Sequence, residues 1–331
     1  PVDILGSGAW TRPLLTGQPG VGEIYLLRGR SRPFWLGPDQ WRLLRDLKRR
    51  GAGPTWLFDA HIDKARRLLA RAGWPAGEMV TLDRLPDVYG EPFCDRWRRF
   101  VQLDPPSGPP LSSAAAQPAL RASAQVATAG EGLCGDRTGS VPQLQISAQS
   151  REDLDAWLRR LGLAGRAFIL VQVGNKRTMR RGDRQRSSNT KYWPEERWAA
   201  VLRGLHASHP QHALLLLGVP QEEALNAQIL ALAGVGDAHS VAREMTVPRL
   251  MALSERAAGM ISVDTGPAHV AAAVGCAALV LYTCPSTRQI YAARARGAPV
   301  RYLMGGTDER PSLMGITAEQ VVEGWRGMMG G

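Results

Sequence analysis

The feature that most constrains the fold is a polar turn inside an apolar stretch, residues 261–275, which read ISVDTGPAHVAAAVG. The residues before Asp264 are typical of a short buried strand, and Pro267 marks the first position of a helix, where its missing N–H costs nothing. Such a turn directs free backbone N–H groups and the positive end of a helix dipole beyond the carboxyl end of the strand. It therefore predicts an α/β domain with an anion site at this edge.

Strands and helices are predicted to alternate in both halves of the chain. In the first half the apolar pattern predicts strands at residues 2–5, 23–27 and 55–58, with helices at 39–50 and 62–72. In the second half, after a helix with Ser150 as its N-cap, it predicts strands at 167–173, 213–218, 260–263 and 278–282, with helices at 195–205, 222–233, 247–257 and 268–274. A last helix begins at Thr317, with Gln320 completing a capping box. Alternation of this kind predicts parallel sheets, here two Rossmann-like doubly wound domains facing a cleft.

The length and one stretch of biased composition set the domain boundaries. A chain of 331 residues fits two domains of roughly 150 residues each. Residues 104–149 are rich in Pro, Ser, Ala and Gly, which is typical of loops leading into a linker. We therefore expect a first domain at residues 1–150, a second at 151–315 and a C-terminal helix at 316–331.

Composition narrows the function classes. No apolar run reaches the roughly 18 residues of a membrane helix, and the four cysteines are too far apart for a zinc site or a disulfide framework, so a cytoplasmic setting is expected.

The net charge of +11 suits an anionic partner such as nucleic acid, a membrane surface or a phosphorylated substrate. An arginine-heavy balance also fits a GC-rich genome, and the basic residues are not interleaved with aromatic ones as in nucleic-acid modules.

Three features of the second half are predicted to converge at the edge where the strands end. The turn from Asp264 to His269 offers N–H groups, a carboxylate and an imidazole, although Asp264 as a helix cap and His269 as a core residue are the alternatives. Lys191 is the last of seven basic residues that begin at Lys176, and the others are also compatible with a solvated loop. Lys191 differs because it immediately precedes the start of a helix, which should fix its backbone and direct it toward the same edge. In GVPQEE, Glu222 or Glu223 stands where nucleotide folds bind ribose, or else compensates a helix dipole.

These residues carry a resemblance to a known family. K-x-W-P-x-x-x-W, then G-x-P-x-E-E, then EMTVPRLMALSERAAGMISVDTGPAHVAAAVG resemble the donor domain of the heptosyltransferase-type glycosyltransferases, which have the GT-B fold; the match covers residues 168–322. The resemblance implies metal-free binding of an ADP-sugar, with the contacts Lys191 to phosphate, Glu222 or Glu223 to ribose, Met245 to adenine, and Asp264, Thr265, Gly266 and His269 to the diphosphate and sugar. Ser187 and Ser188 lie near the family's hydroxyl pair, after an unmatched Arg186. Thr283 and Cys284 stand where the family commonly has a glycine.

The first half resembles the family less closely. WLFDAHIDKARRLLARAG, residues 56–73, is similar to the family's strand, D-x-x-G and helix segment, which implies that Asp59, His61 and Lys64 lie on the acceptor side. The family's opening strand and its catalytic aspartate have no counterpart before VDILGSGAW; we expect them to precede this sequence, and the alternative is that the protein lacks this base. Within the chain the candidate bases are Asp59, His61 and Asp95, although an ordinary surface role for His61 is the alternative.

The leading hypothesis is a metal-independent, inverting glycosyltransferase that moves a heptose or related sugar from an ADP-sugar to a lipopolysaccharide core, another glycan or a protein. An arginine-rich surface facing anionic lipid would place it at the inner face of the bacterial inner membrane. The alternatives are a sugar-nucleotide epimerase or hydrolase of the same fold, a non-catalytic donor-binding subunit, and a basic nucleic-acid-binding protein.

Overall fold

The computed structural model describes residues 1–6, 8–27, 38–58, 62–75, 79–86, 88, 90–103, 141–175 and 188–330. The chain divides into two compact units, unit 1 at Pro1–Glu131 and unit 2 at Gly132–Gly331. This division lies N-terminal to the predicted boundary between residues 150 and 151. A helix of unit 2, Ala148–Arg160, spans that predicted boundary. The assignment of an acceptor role to the first part and a donor role to the second stays a prediction.

Unit 2 is built on a six-stranded, fully parallel sheet. Its strands are β5 Phe168–Gln172, β6 Ala213–Leu216, β7 Ala238–Ser240, β8 Gly259–Val263, β9 Ala278–Tyr282 and β10 Val300–Met304, and their order across the sheet is β10-β9-β8-β5-β6-β7. Its helices are α5 Ala148–Arg160, α6 Glu195–Ser208, α7 Glu223–Ala233, α8 Val247–Arg256, α9 Gly266–Ala273, α10 Pro285–Tyr291 and α11 Ala318–Met329.

The central strands of this sheet are buried along their whole length and mostly apolar, with Gln172 and Ser262 as buried polar exceptions. Every residue of β5, β6, β8 and β9 is buried, as expected for parallel strands with two covered faces. Trp198 of α6 and Trp325 of α11 belong to the apolar cluster that packs on the sheet. The register pairs Leu170 with Met260 and Ile261 with Leu279, so the carboxyl ends of β5, β8 and β9 lie at one edge.

Unit 1 contains shorter strands. Its elements are β1 Val2–Gly6, α1 Thr11–Leu15, β2 Val21–Leu26, α2 Pro38–Arg50, β3 Thr55–Leu57, α3 Ile62–Arg71, β4 Met79–Thr81 and α4 Phe93–Val101. Among the described residues the strands form two parallel pairs, β1 with β2 and β3 with β4, instead of one continuous sheet. Both pairs adjoin one apolar cluster that includes Leu43, Leu57 and Met79, with Leu5 and Tyr25 packed against it. The predicted α/β class with parallel strands is confirmed.

The predicted helix ends agree with the structure at the last helix but differ from it at α5 and α9. The N-cap of α5 is Ser147, whose hydroxyl accepts from the Ser150 N–H at 3.1 Å, so Ser150 lies inside the helix and the prediction of Ser150 as the cap was wrong. Pro267 is the second residue of α9, which begins at Gly266. The predicted capping box of the last helix is confirmed: Thr317 and Gln320 exchange bonds of 2.9 and 3.2 Å. In the described part of the chain, no helix combines the length and apolar character needed to cross a membrane.

Candidate functional site

The carboxyl edge of the unit 2 sheet brings together residues that are far apart in sequence. Across the sheet, Cys284 follows β9, Asp264 follows β8, Gly174 follows β5, Glu222 follows β6 and Met245 follows β7. Because all six strands are parallel, these segments lie along one edge, where ligands of open α/β sheets bind. The three chemistry-bearing features of the sequence therefore meet at one place.

Asp264 lies at the centre of this edge and holds two other side chains. Lys191 Nζ donates to the Asp264 carboxylate Oδ2 at 2.5 Å and to the Asp264 backbone oxygen at 2.7 Å. His269 Nε2 lies 3.4 Å from Asp264 Oδ1. The Asp264 side chain is only 6% exposed, whereas those of Lys191 and His269 are 32% and 43% exposed. The carboxylate therefore anchors two groups that reach solvent, and His269 is not a core residue.

The charge state of this cluster follows from its surroundings. Burial raises the pKa of Asp264, but a hydrogen bond from His269 together with the charge and hydrogen bond of Lys191 outweighs burial, so the pKa of Asp264 lies below its ordinary value. Asp264 is consequently ionised at neutral pH. The N-cap of the adjacent helix α9 is Thr265, and Gly266 is its first residue, so the helix N-terminus lies directly beside the cluster.

Two buried asparagines fix the backbone of Lys191. The N–H of Lys191 donates to Asn189 Oδ1 at 3.2 Å, and Asn175 Nδ2 donates to the Lys191 carbonyl at 3.4 Å. Asn189 Nδ2 in turn donates to Asn175 Oδ1 at 3.4 Å. Sequence reasoning missed both asparagines. The available signal was their placement, Asn175 three residues after the end of β5 and Asn189 two residues before the lysine.

The two tryptophans of K-x-W-P-x-x-x-W anchor the segment that carries Lys191 in the hydrophobic core. Trp193 and Trp198 are buried and pack edge to face with ring centroids 4.8 Å apart. Trp193 Nε1 donates to the Ile316 carbonyl at 3.1 Å. The motif is therefore a frame in which the tryptophans fill the core and Lys191 faces the edge of the sheet.

Glu222 and Glu223 occupy different environments. Glu222 is buried, accepts from the Val219 N–H at 3.1 Å, and lies so close to the end of β5 that a Cβ on Gly174 would be 1.8 Å from Glu222 Oε1. Glu223 instead accepts from Ser240 Oγ, at the end of β7, at 2.8 Å. Of the two acids, Glu222 is therefore the one beside the central strands.

The remaining predicted residues are placed as follows. Met245 is partly exposed in the turn between β7 and α8, Thr265 Oγ1 donates to the Val263 carbonyl at 3.2 Å, and Ser188 is exposed. Asp95 in α4 accepts from Arg98 Nη2 at 2.8 Å. Ser187, Asp59 and His61 lie outside the described residues, as does the side chain of Lys64, whose backbone belongs to α3.

Cys284 occupies the position where the resemblance expects glycine. Its buried Sγ lies 3.1 Å from Thr287 Oγ1 and 3.5 Å from Ser286 Oγ. Burial raises the pKa of Cys284, but hydrogen bonds from Ser286 and Thr287 outweigh it and leave the pKa below its ordinary value. Because β9 pairs with β8, the Cys284 thiol lies at the same edge of the sheet as Asp264.

A fully parallel six-stranded sheet covered by helices, with a lysine, a histidine and a helix N-terminus at its carboxyl edge, defines unit 2 as a Rossmann-like α/β domain. The chain belongs to glycosyltransferase family 9 (heptosyltransferase), whose family model matches residues 116–300. It is accordingly a glycosyltransferase. A comparison with curated protein sequences found no match.

Solved structures show the same fold over nearly the whole chain. An ADP-heptose lipopolysaccharide heptosyltransferase II from E. coli is 18% identical with a TM-score of 0.66, and the match covers 99% of this chain and 88% of that one. A family 9 glycosyl transferase from Veillonella parvula is 14% identical with a TM-score of 0.69 and the same coverage. The E. coli heptosyltransferase WaaC, solved with ADP, is 14% identical with a TM-score of 0.59, covering 95% and 86%. The chain therefore has the GT-B fold of these enzymes.

Proposed function

We propose that this glycosyltransferase uses an ADP-sugar, with heptose as the sugar, and transfers it with inversion and without a metal ion to a lipopolysaccharide core or a related glycan. The observation that carries the proposal is the cluster in which buried Asp264 holds Lys191 and His269 beside the N-terminus of α9. Family membership selects glycosyl transfer over the epimerase, hydrolase and nucleic-acid-binding alternatives.

Departure of the nucleoside diphosphate requires positive groups near the bridging and terminal phosphate oxygens. Lys191 Nζ has three donors, of which two point at the Asp264 backbone oxygen and carboxylate, so the third remains for a phosphate oxygen. The first N–H groups of a helix have no intrahelical partner and supply further donors, to which the helix dipole adds a partial positive charge. Together with His269 these groups perform the charge stabilisation that a divalent cation performs in other nucleotide sites.

The ribose and adenine of ADP are proposed to lie along the carboxyl edge of the sheet, from β5 toward β7 and away from Asp264. Glu222 lies beside the central strands and accepts from the ribose hydroxyls, and Met245 contacts the adenine after β7, the outermost strand on that side. Ser187 and Ser188 precede Lys191 and add hydroxyl donors for the phosphates. That WaaC was also solved with ADP-2-deoxy-2-fluoro heptose supports this choice of donor, at 15% identity and a TM-score of 0.56.

The acceptor side is proposed from residues of unit 1. A base must take the proton of the acceptor hydroxyl as the new glycosidic bond forms. Asp59 and His61 are the proposed candidates, and Lys64 is proposed to contact an acidic acceptor. A lipid-linked acceptor places the enzyme in the cytoplasm, against the inner face of the inner membrane.

The test is a transfer assay with ADP-heptose and a heptose-free lipopolysaccharide core, with ADP release and product mass measured together and EDTA present in a parallel series. The proposal predicts equal amounts of ADP and heptosylated product, unchanged by EDTA, and strong loss of both in Lys191→Ala. ADP release at the same rate without acceptor would indicate a hydrolase. Turnover with other sugar nucleotides but not with ADP-heptose would contradict the proposed donor.

A further inference from the structure

The outer face of α2 carries an unusual combination of side chains. Trp41, Leu44, Arg45, Lys48 and Arg49 follow the helical spacing i, i+3, i+4, i+7 and i+8, and together they line a surface groove of about 430 Å³. The residues of α2 that face the core are different ones, Gln40, Leu43 and Leu47. One face of α2 therefore packs on the core of unit 1, and a different, solvent-exposed face carries aromatic, apolar and basic side chains. We call the five groove-lining residues of this exposed face the α2 stripe.

The aromatic member of the α2 stripe reaches far into solvent. Trp41 is 62% exposed, and Leu44 beside it is only partly covered by the core cluster of unit 1. Single exposed apolar residues are ordinary on protein surfaces. Here, however, the exposed indole shares one helix face with three cations, and this combination is typical of helices that lie in the interface of a membrane.

The charges of the α2 stripe are largely uncompensated. Lys48 and Arg49 make no ion pair with any residue in the described part of the chain. Arg45 Nε lies 3.5 Å from Asp46, but both side chains are well exposed, and such pairs contribute little. Neither acid of the helix, Asp39 or Asp46, lines the groove.

The end of the helix is held in place independently of this face. Arg50 Nε donates to Asp3 Oδ2 at 2.6 Å, which ties the last turn of α2 to β1. Arg50 thus serves the fold, whereas Lys48 and Arg49 are left for an external partner. The α2 stripe is therefore presented on an anchored helix.

We propose that the α2 stripe docks the enzyme on an anionic lipid surface, with Trp41 and Leu44 among the headgroups and Arg45, Lys48 and Arg49 against lipid phosphates. Tryptophan concentrates at membrane interfaces, and basic residues near an anionic leaflet each contribute favourable free energy. The inference rests on the proposed function, in which the acceptor is lipid-linked, and it names the surface that meets the membrane. The charge complementarity is consistent with the net charge of +11 of the whole chain.

The test is flotation of the full chain with vesicles of pure phosphatidylcholine and with vesicles that contain about one-third phosphatidylglycerol. Neutralising Lys48 and Arg49 in Lys48→Gln/Arg49→Gln is expected to weaken binding to the anionic vesicles about 30-fold, since each cation contributes roughly 1 kcal/mol. Trp41→Ala is expected to weaken it about 10-fold through lost apolar contact. The matched controls are Arg159→Gln/Arg326→Gln, with the same charge change on exposed helix positions of unit 2, and Trp10→Ala, where the side chain is 59% exposed.

Retention of wild-type binding by both control variants, and its loss in both α2 variants, would support the inference. Equal binding to neutral and anionic vesicles would overturn it, as would equal losses in the control variants or an unchanged affinity of Trp41→Ala. ADP binding of each protein is measured alongside. No vesicle binding with intact ADP binding would refute the α2 surface and leave the proposed function standing, whereas vesicle binding without ADP binding would refute the proposed function alone.

Discussion

Replacing Lys191 by methionine breaks the ion pair with Asp264 while keeping most of the length of the side chain. Asp264 is 6% exposed, so its carboxylate stays buried, with His269 at 3.4 Å as its remaining described side-chain partner. Leaving one member of a buried pair without its partner costs about 3 to 5 kcal/mol. Because the lysine itself is 32% exposed, we expect the lower end, a loss of about 3 kcal/mol in the free energy of unfolding near neutral pH.

This loss is expected to depend on pH in a defined direction. In the wild type the lowered pKa of Asp264 contributes stability above the unfolded-state pKa of about 3.9, and this contribution disappears as the pH falls through the folded-state pKa. In Lys191→Met burial still raises the pKa and the lysine no longer opposes it, so protonation relieves the buried charge. The difference between the two proteins is therefore largest at neutral pH and shrinks toward about pH 4.

The assay is urea unfolding of the full chain at several pH values, followed by tryptophan fluorescence. Lys48→Met is the matched control, because Lys48 is exposed and its replacement is expected to change stability by less than about 0.5 kcal/mol. An equally small change for Lys191→Met near neutral pH, or a loss that does not vary with pH, would refute the reasoning.

Three further predictions concern other parts of unit 2. Gly174→Ala places a Cβ 1.8 Å from Glu222 Oε1, so the carboxylate must move; calorimetry should show ADP affinity reduced at least about 10-fold, whereas Gly236→Ala, with open space around it, should bind normally. Thr317→Ala removes the N-cap of α11 and should cost about 1 kcal/mol, visible as a lower Tm, whereas Thr317→Ser should restore it. Burial raises the pKa of Cys276 to about 12, so mass spectrometry should find this cysteine unlabelled by iodoacetamide at about pH 8 in the native protein and labelled after denaturation.

The elements that sequence predicted correctly are those with a strong local signal. Strand β9, Ala278–Tyr282, and the capped helix α11 follow from an uninterrupted apolar run and a capping box. Strand β7 was missed because its three residues, AHS, include two polar ones, and β4, MVT, was missed because it offers only two consecutive apolar residues. Short strands acquire their identity from the neighbour they pair with, which local pattern does not reveal.

The site shows the same limit. The turn from Asp264 to His269 was predicted from local chemistry, since a polar cluster between an apolar strand and small helix residues has few other uses. The contact between Lys191 and Asp264 joins residues 73 positions apart and depends on β8 lying next to β5. The buried asparagines beside Lys191 gave no comparable signal, because asparagine is equally ordinary in an exposed turn.

The central claim is that the cluster around Asp264 binds a nucleoside diphosphate, and calorimetry with ADP, UDP and GDP, each with magnesium and with EDTA, tests it most directly. The account predicts tight ADP binding that is unchanged by EDTA, weaker binding of UDP and GDP, and a loss of at least about 10-fold in Lys191→Ala, Asp264→Ala and the milder His269→Gln. Absence of ADP binding by the folded wild-type protein, or ADP binding that all three variants retain, would contradict it.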